Sequence, residues 1–387
     1  MQKVKLGCHI IQIRGVSYKP EDVYKTLSDD SVILLRANNI KDGKINFDDV
    51  VYINRLKVKS EQFLKRGDIL ICTSSGSKEL VGKAAYITAD YDVVFGAFCK
   101  VLRSIDIYAE YLGHYFQSDY YKGQIMRSCQ GANINNLRAE HFNELLIKLP
   151  LTEEKQKAIA KKLDKVVDLI EKRKKQIEKL DELVRSRFIE MFGDCDLSMQ
   201  QSDWKKISSV AEIVGGSTPK TDNDEFWGGE NCWITPAEIN SDSFILYDTE
   251  RKLTKEGVKS CSLRLLPVGT VLLSSRAPIG KLAIAGTKMY CNQGFKNIIC
   301  SATLNSVYTF YLLKCNSDYL VSLGRGATFK EISKEIVGNI FIPVPPIELQ
   351  NKFAEFVEKV EKTKSAIKKS LYSLETLKKS LMQKYFG

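Results

Sequence analysis

Residues 188–193 read FIEMFG, and the last six residues of the chain, 382–387, read MQKYFG. The same Phe-Gly ending therefore stands twice, 194 positions apart, and the match continues upstream. At that offset Ser186 meets Ser380, Ala160 meets Ala354 and Gln156 meets Gln350. Slightly different offsets, from small insertions, lay "GANINNL" (131–137) over "GATFKEI" (326–332). They also lay "SSGSKELVGKAAYI" (74–87) over "SSRAPIGKLAIA" (274–285), and "RGDILIC" (66–72) over "VGTVLLS" (268–274). A chain that repeats itself at a long period is built from copies of one unit. The order is globule (1–150), helix (151–193), globule (194–346), helix (347–387), with the globules more diverged than the helices.

Segments 151–192 and 347–386 contain neither Gly nor Pro, and each follows a proline, Pro150 or Pro345–Pro346. Proline just ahead of a helix fits its start, where the missing donor is not needed. In the first segment Ile159, Leu163, Val166, Ile170, Arg173, Ile177, Leu180, Val184, Arg187 and Met191 alternate by four and three. In the second the corresponding stripe is Phe353, Val357, Val360, Lys364, Ile367, Leu371, Leu374, Lys378, Leu381 and Tyr385. This is the heptad pattern of a coiled-coil seam. The basic interruptions are staggered: Arg173 and Arg187 correspond to Ile367 and Leu381, whereas Lys364 and Lys378 correspond to Ile170 and Val184. Such staggering suits a mixed pair better than two self-pairing helices, and long basic stems still cover a seam. A helix of some 40 residues is about 60 Å long. Two of matched length predict one antiparallel coiled coil, whose stripe from 159 to 191 spans about 48 Å and keeps two similar globules apart.

Within the globules "SVILLRANNI", "GDILIC", "DVVFGAFCKVL", "GTVLLSS" and "NIIC" read as strands. The stretches 107–125 and 305–323 carry apolar residues at helical spacing, one helix in each half, so each globule is α+β. Tyr111, Tyr115, Tyr120 and Tyr121 sit on such a helix face and belong to packing rather than to base stacking. Chemistry of the usual kinds is missing from the sequence. "GSKELVGKA" (76–84) departs from a phosphate loop, with five residues rather than four between its glycines and Ala84 where Ser or Thr is needed. No G-x-G-x-x-G opens a βαβ unit. There are three histidines, no H-E-x-x-H and no C-x-x-C, so neither a zinc site nor an acid–base dyad has support. The ten cysteines read as buried free thiols of a reducing compartment. No apolar run suffices to cross a bilayer, and the N-terminus lacks a secretory pattern, so a cytoplasmic protein is expected. The net charge of +11 favours a polyanionic partner, although residues 194–346 are themselves balanced.

Several stretches resemble the specificity (S) subunit of Type I restriction–modification systems. "GGSTPKTDNDEFWGGENCWITPAEI" (215–239) looks like the opening of a target recognition domain in that family. "IRGVSYKPEDV" (13–23) with "LLRANNIKDG" (34–43) looks like another common opening. "LPLTEEKQKAIAKKLD" (149–164) and "PVPPIELQNKFAEFVE" (343–358) are similar to the family's P-x-x-x-Q-x-x-I-A start of its long helices. The first has five residues rather than three between Pro150 and Gln156, and the second has Phe353 where Ile is usual.

The resemblance implies two target recognition domains, each reading one half of a bipartite target on double-stranded DNA, and a coiled coil that sets the spacer. It implies no catalytic site, metal or cofactor in this chain. S-adenosylmethionine would come with two docked methyltransferase (modification) subunits, and ATP with Mg with restriction (translocase) subunits. A half-site reader uses Arg, Lys, Asn, Gln and Ser/Thr on base edges and phosphates. Polar turns at repeat-related places give the candidates Lys19, Arg36, Asn38, Asn39, Lys78, Lys83, Asn133 and Asn135 in the first globule. In the second they are Thr218, Lys220, Arg276, Lys281, Arg325, Thr328 and Lys330. Gly131 and Gly326 are expected to shape turns. Three other readings remain open to the sequence: a specificity subunit for a Type IIB-like fused methyltransferase–nuclease, a coiled-coil scaffold that binds no DNA, and a self-contained enzyme.

Overall fold

A computed structural model of the chain describes all residues except 78, 129–135, 200, 241, 277 and 327–329. It forms two compact units, Met1–Lys174 with Lys369–Gly387, and Lys175–Lys368. Each unit contains one α+β globule and one end of each of two long helices, Glu153–Phe192 and Ile347–Phe386.

In the first unit the strands Ile10–Arg14, Cys99–Ser104, Ile69–Cys72 and Ala84–Tyr86 form an antiparallel sheet in that spatial order. A second sheet places Val93–Phe95 parallel to Ser31–Leu35, followed by Val51–Asn54 and Val23–Tyr24. The second unit repeats the plan. Its main sheet runs Ala211–Gly215, Lys296–Cys300, Val271–Leu273, Leu282–Ala285, with Ile245–Leu246 added at the edge. Its other sheet sets Tyr290–Cys291 parallel to Trp227–Ile234, which pairs with Arg251–Leu253.

The central strands are apolar throughout because both of their faces are covered. Successive side chains point to opposite faces. Ile69 and Ile71 enter the core shared with the helices, whereas Leu70 and Cys72 enter the core beneath the second sheet. Val271 and Leu273 divide from Leu272 in the same way.

The apolar stretches expected to form one helix in each half are each broken into two. Ala109–Gln117 and Asp119–Ser128 meet at Ser118, whose Oγ donates to the Tyr115 carbonyl at 2.6 Å and accepts from Tyr121 N at 3.2 Å. Ser306–Cys315 and Ser317–Ser322 meet at buried Asn316, which donates to the Leu312 and Cys195 carbonyls and accepts from Leu197 N. Short polar side chains that bond to nearby backbone compete with helix continuation, which apolar spacing alone does not reveal.

The long helices run antiparallel in both units. In the first, Ile159, Ala160 and Leu163 share a core with Met382, Tyr385 and Phe386. In the second, Val184 and Phe188 share one with Phe353, Val357 and Val360. Every position of both stripes is buried or half-buried. The two seam lysines differ. Lys364 Nζ bonds to Asp181 across the seam at 2.7 Å and to Glu361 at 2.8 Å. Burial opposes its charge, yet these two carboxylates hold its ammonium above the ordinary lysine range. No ion pair reaches Lys378 among the described residues, and burial, with Lys174 and Lys122 nearby, pushes its ammonium down.

The doubled Phe-Gly ending has a common use. Phe386 lies with its ring 5.0 Å from Tyr111 in the first unit, and Phe192 with its ring 4.8 Å from Tyr308 in the second. Each glycine closes its helix, Gly193 N on the Ile189 carbonyl and Gly387 N on that of Gln383. The matched glutamines also coincide. Gln156 Oε1 accepts from Tyr108 N, and Gln350 Oε1 from Asn305 N, both at 2.8 Å, tying the first turn of a long helix to the globule's main helix. No helix among the described residues is long and apolar enough to cross a membrane.

Candidate nucleic-acid interface

The polar loops of the two units hang on one backbone frame. Lys83 and Lys281 carbonyls accept from Cys72 N and Ser274 N, both at 2.9 Å. Gly82 N and Gly280 N return to the carbonyls of Cys72 and Ser274. Thr73 N reaches the Phe98 carbonyl and Ser275 N that of Gly294, both at 2.8 Å. Leu137 N donates to the Thr73 carbonyl, and Ile332 N to that of Ser275. Gly82 and Gly280 have φ of +83° and +87°, a conformation that side chains resist, so the turn before each lysine needs glycine. At Gly15 and Gly216 a Cβ would lie 2.1 Å from a carbonyl oxygen, of Gly96 and of Cys291 respectively. The frame keeps two of the matches read from the sequence, Cys72 on Ser274 and Asn136 on Glu331, and corrects the third: Ser74 stands at the place of Arg276 rather than of Ser274.

In the second unit the frame gathers several candidates. Arg276 bridges to Glu331, and Glu331 pairs through its backbone with Arg325. Arg276 Nε donates to Glu331 Oε2 at 3.0 Å, and Lys296 Nζ to Oε1 at 3.1 Å. Lys330 is exposed beside them. Thr218 bonds to Gln293, on the loop that receives Ser275 N. Lys220 is exposed on a loop whose backbone is held by two indoles. Trp233 Nε1 donates to the Ser217 carbonyl and Trp227 Nε1 to that of Lys220, both at 3.1 Å. The Arg251 guanidinium stacks 3.5 Å over Trp227. Lys281 points elsewhere, its Nζ bonded to the Pro236 carbonyl at 2.9 Å.

In the first unit Lys83 is exposed at the position of Lys281, and Lys19 is exposed beside Glu21. Arg36 and Asn38 both bond to Asp49, at 2.8 and 2.9 Å. Asn39 is fully buried. It accepts from Arg36 N and donates to the Asn46 and Asp48 carbonyls, so it shapes the turn that carries its neighbours. Lys78, Asn133, Asn135 and Thr328, with Gly131, lie outside the described residues.

Sequence reasoning missed Ser275, Gln293, Lys296, Glu331 and the Trp227–Trp233–Arg251 cluster. The polar break "NQGFKN" (292–297) between apolar strands was the available signal for Gln293 and Lys296. Glu331 was hidden because an acidic residue is not sought in an anion-binding surface. The two thiols beside these loops are not activated. Burial pushes that of Cys72 up to about 11 and that of Cys291 up to about 12.

Two copies of one α+β unit, with a shared loop frame and different side chains on it, define a protein built by internal duplication. The family model described as the Type I restriction modification DNA specificity domain matches residues 26–180 and 201–376, and the chain belongs to that family. It is 38% identical over 209 residues to the Type I restriction enzyme MjaIX specificity subunit of Methanocaldococcus jannaschii, a match covering 53% of this chain and 48% of that protein. It is 38% identical over 174 residues to the EcoKI specificity subunit of Escherichia coli K12, covering 45% and 37%. The chain thus spans about half, or less, of the length of these curated relatives. The solved S subunit of a Type I restriction-modification system from M. genitalium shares the fold, with a TM-score of 0.59 and 16% identity over 100% of this chain and 96% of that one.

Proposed function

We propose that this chain is the DNA-specificity subunit of a Type I restriction–modification complex and carries no catalytic site of its own. Each unit reads one half of a bipartite target on double-stranded DNA. The paired helices set the spacer and offer two equivalent docking faces to two methyltransferase subunits. Those subunits supply S-adenosylmethionine, and restriction subunits supply ATP- and Mg-dependent translocation and cleavage, in the cytoplasm. The observation that carries this reading is the repeated loop frame: the backbone bonds are kept from unit to unit while the side chains they display differ. A frame of that kind keeps register on the duplex while changing which bases are read.

The test is a map of methylated bases in the source cell with and without the gene. The expected result is a split motif, two short blocks around an unspecified gap, that loses methylation on deletion. Two identical maps would refute the reading.

A further inference from the structure

The same frame position carries a neutral Ser74–Asn136 pair in the first unit and the charged Arg276–Glu331 pair in the second. We propose that Arg276 is a base-reading, specificity-determining residue that takes a guanine edge, and that Glu331 is its positioning residue. This rests on the reading that the second unit binds DNA.

The geometry favours a base over a phosphate. Of the five guanidinium donors, Nε is spent on Glu331 Oε2, and no hydrogen bond reaches either Nη group among the described residues. The half-exposed side chain therefore presents its end-on fork of two Nη groups, the arrangement that matches guanine O6 and N7. Pinning Nε to a carboxylate fixes the plane of the fork before DNA arrives. A phosphate contact would be served by the opposite design. The Glu331 carboxylate repels a phosphate, and its partner Lys296, only 14% exposed, is withdrawn from one. A neutral base edge with two acceptors meets no such repulsion. Partial burial pushes the Glu331 carboxyl up, but the bonds and charges of Lys296 and Arg276 outweigh it and hold it below the ordinary range, so the clamp stays charged.

The experiment uses the full chain assembled with its methyltransferase subunits and a DNA library randomised across both half-sites. Wild type is expected to demand G·C at one position of the half-site read by the second unit. Arg276→Lys keeps the charge but not the fork, and is expected to lose roughly tenfold to hundredfold discrimination at that position alone. Glu331→Ala is expected to relax the same position while binding all sequences at least as well. Glu331→Gln, whose carbonyl still accepts from Nε, is expected to keep the preference. Unchanged selectivity in the other half-site shows that each variant is folded and assembled. Arg276→Ala weakening every sequence alike, with the salt slope reduced by about one and no position relaxed, would make Arg276 a phosphate contact and overturn the proposal. A required second half-site without G·C would overturn it too. A wild-type complex that selects no split motif would instead sink the functional reading on which the proposal stands.

Discussion

The two units share their frame and differ in what it holds. Gly15 and Gly216 meet the same carbonyl clash, Gly82 and Gly280 the same positive φ, Phe386 and Phe192 the same tyrosine socket. On that frame the first unit carries Ser74 and Asn136, the second Arg276 and Glu331. The first unit contains no tryptophan, whereas two indoles tether the Ser217–Lys220 backbone in the second. Backbone bonds and close approaches resist change because breaking one exposes several others, whereas an exposed side chain is replaced at little cost in stability.

The sockets give the largest effects by which the comparison can be broken. Phe386 is fully buried and Phe192 only half so. Phe386→Ala should cost about 3–4 kcal/mol and Phe192→Ala about 1 kcal/mol less, measured by urea denaturation of the full chain. Equal costs would mean that the two sockets are energetically alike despite their difference in burial.

Next come the glutamines. Gln350 makes three bonds, to Asn305 N and to the Thr303 and Pro345 carbonyls, against two for Gln156, to Tyr108 N and the Pro150 carbonyl. Alanine at 350 should therefore destabilise by about 2–3 kcal/mol and at 156 by somewhat less, since each leaves buried backbone groups unpaired. The reverse order in thermal melts would show that the bonds are not the main contribution.

The seam lysines should differ in sign. Lys364→Met removes a buried, paired charge and should destabilise by about 1 kcal/mol. Lys378→Met removes a half-buried charge that no ion pair reaches among the described residues, and should stabilise by less than that because water still screens it. The pH dependence follows. Lys364, with its folded pKa raised, contributes stability that is complete below the unfolded value of 10.5 and lost as pH rises through the raised one. Lys378, with its folded pKa lowered, costs stability below that pKa, and the cost is relieved as pH rises toward 10.5. Titration of stability across the alkaline range around 10.5 should show each slope vanish in the matching methionine variant.

The smallest contrast is between Lys83 and Lys281, which occupy one frame position. Lys83→Ala should weaken DNA binding by the assembled complex several-fold at every sequence and lower the salt slope by about one. Lys281, bonded to the Pro236 carbonyl, should leave the slope unchanged when replaced by Ala and cost about 1 kcal/mol of stability. Identical salt slopes for both variants would dissolve the contrast.

Much of the fold was legible because it is periodic. The heptad stripes marked both long helices, 151–192 and 347–386, against the observed Glu153–Phe192 and Ile347–Phe386. The strand stretches appear at Ser31–Leu35, Ile69–Cys72, Val93–Phe95, Cys99–Ser104, Val271–Leu273 and Lys296–Cys300. The breaks at Ser118 and Asn316 were not legible, because the decisive bonds there involve side chains rather than apolar spacing. Of the candidate site, Arg276, Arg325 and Lys330 were found as basic residues in repeat-related turns. The roles of Asn39 and Lys281, spent inside their globules, depend on partners far along the chain or across a turn.

By itself the sequence determined that there are two copies, where each copy's helix runs, and which positions form the seam, since all of these are local or periodic properties of the chain. Only the tertiary structure decided that the Phe-Gly end of each helix fills a tyrosine socket, and that Ser74 rather than Gly76 answers to Arg276. It alone brought Glu331 onto Arg276 from 55 residues away. Those pairings are set by strand register and by a hydrogen-bond frame closed between distant loops, and no one-dimensional spacing encodes which of several similar polar residues will meet there.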